Sequence, residues 1–245
     1  MNKIINGDSL KVLKKLEDES VDLICTDPPY GYSFMNRDWD KAVPALEIWQ
    51  ECLRVLKPGG FCFVMSAPRS DVQSRMMVRL EDAGFNIGFT PIYWTYATGF
   101  PKATNIGKLA DKKNYDEAKN LEGSYVGYQP KPAVEVVLVA MKPITEKTTL
   151  EQAMKNGKGI TWLDDCRIPY KNEDDQSESQ NKQSDDRGGF HGENTGVYSS
   201  GEQIGYDKPD GRFAANLIVQ DDVLNDGVKR SKGKHTDSGS GSGGI

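Results

Sequence analysis

The run Val21-Asp22-Leu23-Ile24-Cys25-Thr26-Asp27-Pro28-Pro29-Tyr30 constrains this chain more than any other stretch. Its apolar first half predicts a β-strand over 21–26, covered on both faces as strands of parallel sheets are. Pro28 and Pro29 have no backbone N–H to donate, so the ladder stops there. The expected product is a rigid strand-end loop holding one carboxylate, exposed carbonyls and one aromatic ring close together. In open α/β sheets, ligands bind at that carboxyl-end edge. The plainer reading is a tight turn after a core strand, with Asp27 only capping it.

The remaining pattern suits such a sheet. Asp8 or Ser9 can cap a short helix in which Leu10, Leu13 and Leu16 form the apolar face. A helix is predicted from Pro44 to Leu56, ended by Pro58-Gly59-Gly60, and another from Asp71 to Ala83, closed by Gly84. Strands are predicted at Phe61–Met65, at about 86–96 and at Ala133–Met141. Alternating helices and strands predict an α/β fold with a Rossmann-like, doubly wound, mostly parallel sheet.

Composition narrows the class. The 245 residues suffice for one core plus insertions, and 37% hydrophobic content with no long apolar run argues against a membrane span. No signal-peptide core opens the chain, so a cytoplasmic protein is expected. Cys25, Cys52, Cys62 and Cys166 show no Cys-x-x-Cys spacing, and Cys25 and Cys62 are expected to be buried thiols. His191 and His235 sit in polar segments without a second ligand at metal spacing, so no metal is expected. A net charge of −5 does not advertise nucleic-acid binding, although a local basic face matters more than the total. Such a face is offered by 97–131, where Lys102, Lys108, Lys112 and Lys113 interleave with Tyr115, Tyr125 and Tyr128. A solvated helix at 104–118 would explain the same lysines.

From these features the chain is expected to form a catalytic α/β region over 1–170, with 97–131 as a DNA-contacting insertion. A flexible acidic and polar insert would follow at 171–210, then a return to the core at 211–226 and a disordered tail at 227–245.

The groups at Asp27–Tyr30 suit one task, holding an exocyclic amino group on a flat base. The lone pair of such a nitrogen is delocalised into the ring. Two acceptors, the Asp27 carboxylate and the Pro28 carbonyl, would draw it towards an attack-ready geometry. Tyr30 offers a ring on which an extruded base could stack.

Asp27-Pro28-Pro29-Tyr30 after a strand resembles the catalytic motif of the DNA amino-methyltransferases, which methylate adenine N6 or cytosine N4 with S-adenosylmethionine. The flanking text resembles the subgroup whose catalytic motif lies near the N-terminus. Ile4-Ile5-Asn6-Gly7-Asp8-Ser9-Leu10 and Arg54-Val55-Leu56-Lys57-Pro58-Gly59-Gly60 carry the likeness. So do Thr98-Gly99-Phe100-Pro101-Lys102, Lys131-Pro132-Ala133-Val134-Glu135 and Asp210-Gly211-Arg212-Phe213-Ala214-Ala215-Asn216-Leu217, which look like phage and prophage members.

The resemblance implies a site-specific methyltransferase of double-stranded DNA, with adenine N6 favoured by Asp at the first motif position and cytosine N4 as the alternative. It implies S-adenosylmethionine contacts at Asp8 and Asp27, though Asp8 could only cap its helix. The family's glycine-rich cofactor loop has no counterpart here: Gly239-Ser240-Gly241-Ser242-Gly243-Gly244 follows no apolar strand. The fold is therefore expected to be incomplete, with a second polypeptide as one possible source of the cofactor half. A truncated or split half that binds DNA and is inactive alone is the competing expectation.

Overall fold

The structure is a computed structural model. It describes residues 2–32, 38–96, 103–116, 118–128, 130, 132–177 and 211–220. Helix α1, Ser9–Leu13, starts where Asp8 accepts a hydrogen bond from the Lys11 N–H at 2.9 Å. Strand β1, Ile24–Thr26, follows. Helix α2, Leu46–Val55, turns Trp49, Cys52 and Val55 inward at helical spacing. Strand β2, Phe61–Ser66, alternates strictly, burying Cys62, Val64 and Ser66. Helix α3, Ser70–Ala83, buries Val72, Met76, Leu80 and Ala83, and Gly84 ends it in the left-handed conformation at φ +103°.

Strand β3, Ile92–Thr95, precedes helix α4, Ile106–Lys112. Strand β4, Val134–Met141, leads to helix α5, Thr149–Asn156. Short strands β5, Ile168–Pro169, β6, Gly211–Arg212, and β7, Leu217–Val219, complete the described elements.

The main sheet has the order β1-β2-β4-β3-β7. Pairings β1–β2 and β3–β7 are parallel, whereas β4 runs antiparallel to both β2 and β3. Four strands thus share one direction and β4 alone is reversed. That is the mostly parallel α/β sheet the sequence predicts, with one reversal it does not reveal. Residues 211–219 return by pairing β6 with β5 and β7 with β3.

The core lies between α2, α3 and one sheet face. Trp49, Leu56, Cys62, Val64, Met76, Leu80, Val136, Leu138 and Ala140 pack together there. Each large side chain so buried contributes roughly 1.5–3 kcal/mol of transfer free energy. Burial also pushes the Cys52 thiol up to about 11, which leaves it protonated and inert at neutral pH.

Three expectations need correction. Strand β1 is not covered on both faces: it is the edge strand, and Leu23 is 54% exposed. Cys25 is exposed for the same reason, because nothing among the described residues packs beyond β1. The long strand expected over 86–96 is interrupted, keeping only an Asn86–Met141 bridge before Ile92.

Helix α5 is an addition. Its signal was in the sequence, since Thr148 and Glu151 form a reciprocal capping box and Gly157 closes the helix. The end of α5 is fastened to the α2–β2 turn, where Gly59 lies at φ +76° and a Cβ would sit 2.8 Å from the Gly159 nitrogen. Among the described residues, no helix is long and apolar enough to cross a membrane.

Candidate active site at the strand ends

One edge of the sheet gathers the chemistry. Parallel β1 and β2 end there, at Thr26 and Ser66, and β3 ends there at Thr95. Because β4 is reversed, its beginning lies at the same edge, with Ser66 opposite Val136 and Thr95 opposite Val134. The residues just beyond these ends are Asp27–Tyr32, Arg69, Tyr96 and Glu135. Chain reversal therefore brings a residue from the start of a strand to the ligand-facing edge.

Asp27 is exposed, while Pro28, Pro29 and Tyr30 are half-buried. The Tyr30 hydroxyl donates to the Asp27 carboxylate at 2.6 Å, a charge-assisted bond that fixes both groups. Burial pushes the Tyr30 phenol well above its ordinary range, and the Asp27 hydrogen bond and the Asp27 and Glu135 charges push it further. Tyr30 therefore keeps its proton and remains a donor at neutral pH. With one carboxylate oxygen so used, the second is the one available to a ligand.

The neighbours form an aromatic and charged rim. Tyr32 packs edge-on to Tyr30, with ring centroids 6.0 Å apart. The Arg69 guanidinium carbon lies 4.5 Å from the centre of the Tyr32 ring, and Arg69 is itself held by two 2.6 Å bonds to Asp71. That pairing brings the Asp71 carboxyl down to about 2. The Tyr96 hydroxyl donates to Glu135 at 3.2 Å, and Trp94 stands edge-on to Tyr96 at 6.4 Å. The charge of Glu135 contributes, after burial, to raising Tyr30, Tyr32 and Tyr96, which places it within electrostatic reach of all three phenols.

Sequence reasoning singled out Asp27 to Tyr30, and the structure brings Asp27 and Tyr30 into contact. Asp8 stands elsewhere as the cap of α1, with its carboxylate engaged by Lys11. Lys108 and Lys112 lie on α4 and Lys113 caps it, all exposed. No hydrogen bond, ion pair or ring contact among the described residues joins these lysines to Asp27–Tyr30. Lys102, His191, His235, residues 178–210 and the 227–245 tail lie outside the described residues.

Sequence reasoning did not single out Tyr32, Asp40 or Arg69 as site residues. It quoted Glu135 only within a motif. Glu135 did carry a signal, being the one charged residue in the strand Val134–Met141. Among the described residues, no group of His, Cys, Asp or Glu is placed to hold a metal ion.

The chain is 31% identical over 135 residues to the DNA adenine methyltransferase YhdJ of Escherichia coli (strain K12), covering 46% of this chain and 42% of that one. It is 33% identical over 118 residues to the type II methyltransferase M.HpaI of Haemophilus parainfluenzae, covering 44% and 36%. A solved Thermus thermophilus structure, TTHA0409, a DNA modification methylase complexed with S-adenosyl-L-methionine, aligns at a TM-score of 0.38 and 23% identity, covering 66% of this chain and 63% of that one. The chain thus spans less than half the length of these two curated relatives. The family profile described as DNA methylase, for the N6 and N4 methyltransferases, matches residues 21–235. The chain therefore belongs to the N6/N4 DNA methylase family.

Proposed function

We propose that the Asp27–Tyr30 loop presents an exocyclic amino group of a DNA base for methylation, adenine N6 in first place and cytosine N4 as the alternative. The observation that carries this reading is the Tyr30–Asp27 hydrogen bond at an open strand end, in a chain of this family. Asp27 accepts from the amine through its second oxygen, and the Pro28 carbonyl supplies the other acceptor. Together they turn the nitrogen lone pair out of the ring plane. The Tyr30 ring, fixed by its own hydroxyl, carries the extruded base. Adenine is supported by Asp at the first motif position and by the activity in YhdJ's name.

S-adenosylmethionine supplies an electrophilic methyl group when bound. The described residues fit the acceptor side of such a site, with Asp27 beside the reacting amine and Asp8 as a second contact. They hold no glycine-rich loop at a strand beside β1, since β1 is the sheet edge. This open edge favours a second reading, in which a further segment or a second polypeptide adds a strand along β1 and completes the cofactor side. Double-stranded DNA is the partner on the other side, in the cytoplasm.

The lysines give the first test of that partner. If Lys108, Lys112 and Lys113 each hold one phosphate, their joint replacement by alanine makes the salt dependence of DNA binding shallower by about 2.7 in log–log slope. An unchanged slope would return them to the solvated-helix reading. The ring of Tyr30 is tested separately. Tyr30→Phe, which keeps the ring and loses the hydroxyl, is expected to lower kcat/KM about tenfold. Tyr30→Ala is expected to lower it by about 10²-fold or more, because the stacking surface goes too.

The deciding experiment incubates the chain with S-adenosylmethionine and unmethylated DNA, then quantifies methylated nucleosides by mass spectrometry. N6-methyladenine supports the reading, and N4-methylcytosine replaces the base while keeping the amine chemistry. A folded chain that yields neither supports the incomplete-half reading.

A further inference from the structure

The turn Asp38–Asp40 holds two carboxylates that face opposite ways. The Asp38 side chain is 90% exposed and pairs with Lys41, whereas Asp40 is only 4% exposed. A buried carboxylate is costly unless hydrogen-bonded. Asp40 Oδ1 accepts from the backbone N–H of Gly31 at 2.9 Å, one residue beyond Tyr30.

Gly31 is a tightly enclosed point of the loop. It lies at φ +75°, and an added Cβ would stand 3.1 Å from Ala42 backbone carbon and 3.2 Å from the Val43 nitrogen. The segment after Asp40 therefore wraps the very residue that Asp40 bonds. The loop has few other anchors: Pro28 and Pro29 have no N–H, so past Asp27 only Tyr30, Gly31 and Tyr32 carry amides that can tie it down.

We propose that Asp40 is the positioning residue of the candidate site, acting through Gly31 to hold the Tyr30 ring and, through the Tyr30 hydroxyl, the Asp27 carboxylate. The role in methyl transfer rests on the Asp27–Tyr30 reading above; the brace itself does not. Asp40 touches no reacting atom. It fixes the left-handed turn that aims the ring, from a segment outside the motif.

The test uses the full chain and compares hydrogen exchange, by mass spectrometry, in a peptide spanning 27–32. Asp40→Ala leaves the Gly31 amide unpaired, and exchange at 30–32 is expected to rise about tenfold or more while peptides from β2 and β4 stay as protected as before. Asp40→Asn keeps an oxygen acceptor and is expected to restore most of the protection. Asp38→Ala, in the same turn but open to solvent, is expected to change nothing. Asp40→Ser, which is too short to reach Gly31, stands in if the alanine variant does not fold.

On DNA, the alanine or serine variant is expected to lose kcat with KM nearly unchanged, and the asparagine variant to recover most of it. Unchanged exchange at 30–32 would overturn the proposal, and so would a rise shared equally by β2 and β4. If the wild-type chain transfers no methyl group, the Asp27 reading fails, while the exchange comparison still decides the brace.

Discussion

Asp27→Ala is expected to lower methyl transfer by about 10²–10⁴-fold while leaving DNA affinity within about threefold. The asymmetry follows from the geometry. Asp27 is exposed at the end of β1 and carries no part of the core, so its loss leaves the fold alone. What disappears is the acceptor for the amine and the partner of the Tyr30 hydroxyl. Asp27→Asn is the sharper variant, because it keeps the size and one acceptor oxygen but removes the charge. It is expected to fall between wild type and alanine. Rates on a DNA substrate, measured beside binding isotherms, check both statements, and an alanine variant that keeps most of its rate would remove Asp27 from the chemistry.

Trp49→Ala is expected to destabilise the fold by about 3–5 kcal/mol. The transition midpoint would fall by roughly 6–20 °C in a chain of this size. Trp49 is 1% exposed and sits where α2 meets the sheet and α3, so no neighbour can refill its volume without moving a helix. Its indole N–H is buried without a hydrogen-bond partner among the described residues. Trp49→Phe should therefore cost much less than its lost volume suggests, since an unsatisfied donor leaves with the ring. Thermal or urea unfolding of the two variants, followed by circular dichroism, separates the packing contribution from the polar one.

How much of this was readable in advance differs by the range of the interaction. Local chemistry was legible: the Asp8 cap, the inward Val72, Met76 and Leu80, the Gly84 stop and the Asp27–Tyr30 loop all depend on neighbours within a turn or two. The burial of β1 was not. A short apolar run reads as a doubly covered strand whether or not anything lies beside it, and here one side is open.

The position of β4 between β2 and β3 was equally hidden, because period and propensity describe a strand's faces and leave its neighbours unspecified. Asp40 is the plainest case. In Asp38-Trp39-Asp40 nothing local tells the inward carboxylate from the outward one, and its partner Gly31 lies nine residues away. Helix α5 was different, since the Thr148–Glu151 box and Gly157 were visible and simply went unread.

The reversed strand β4 also sets an order of assembly. It is the shared partner of β2 and β3, yet it is made long after β2 and only after β3 and α4. Until residues 134–141 have left the ribosome, Phe61–Ser66 and Ile92–Thr95 have no sheet to join, and their backbone groups must be paired by water. The outer contact at β7 comes later still, with Asn216 reaching Pro91 across 125 residues of chain. Non-local ladders of this kind close slowly and keep apolar strands open meanwhile. During synthesis, the chain's most aggregation-prone interval is thus the time between the emergence of β2 and that of β4.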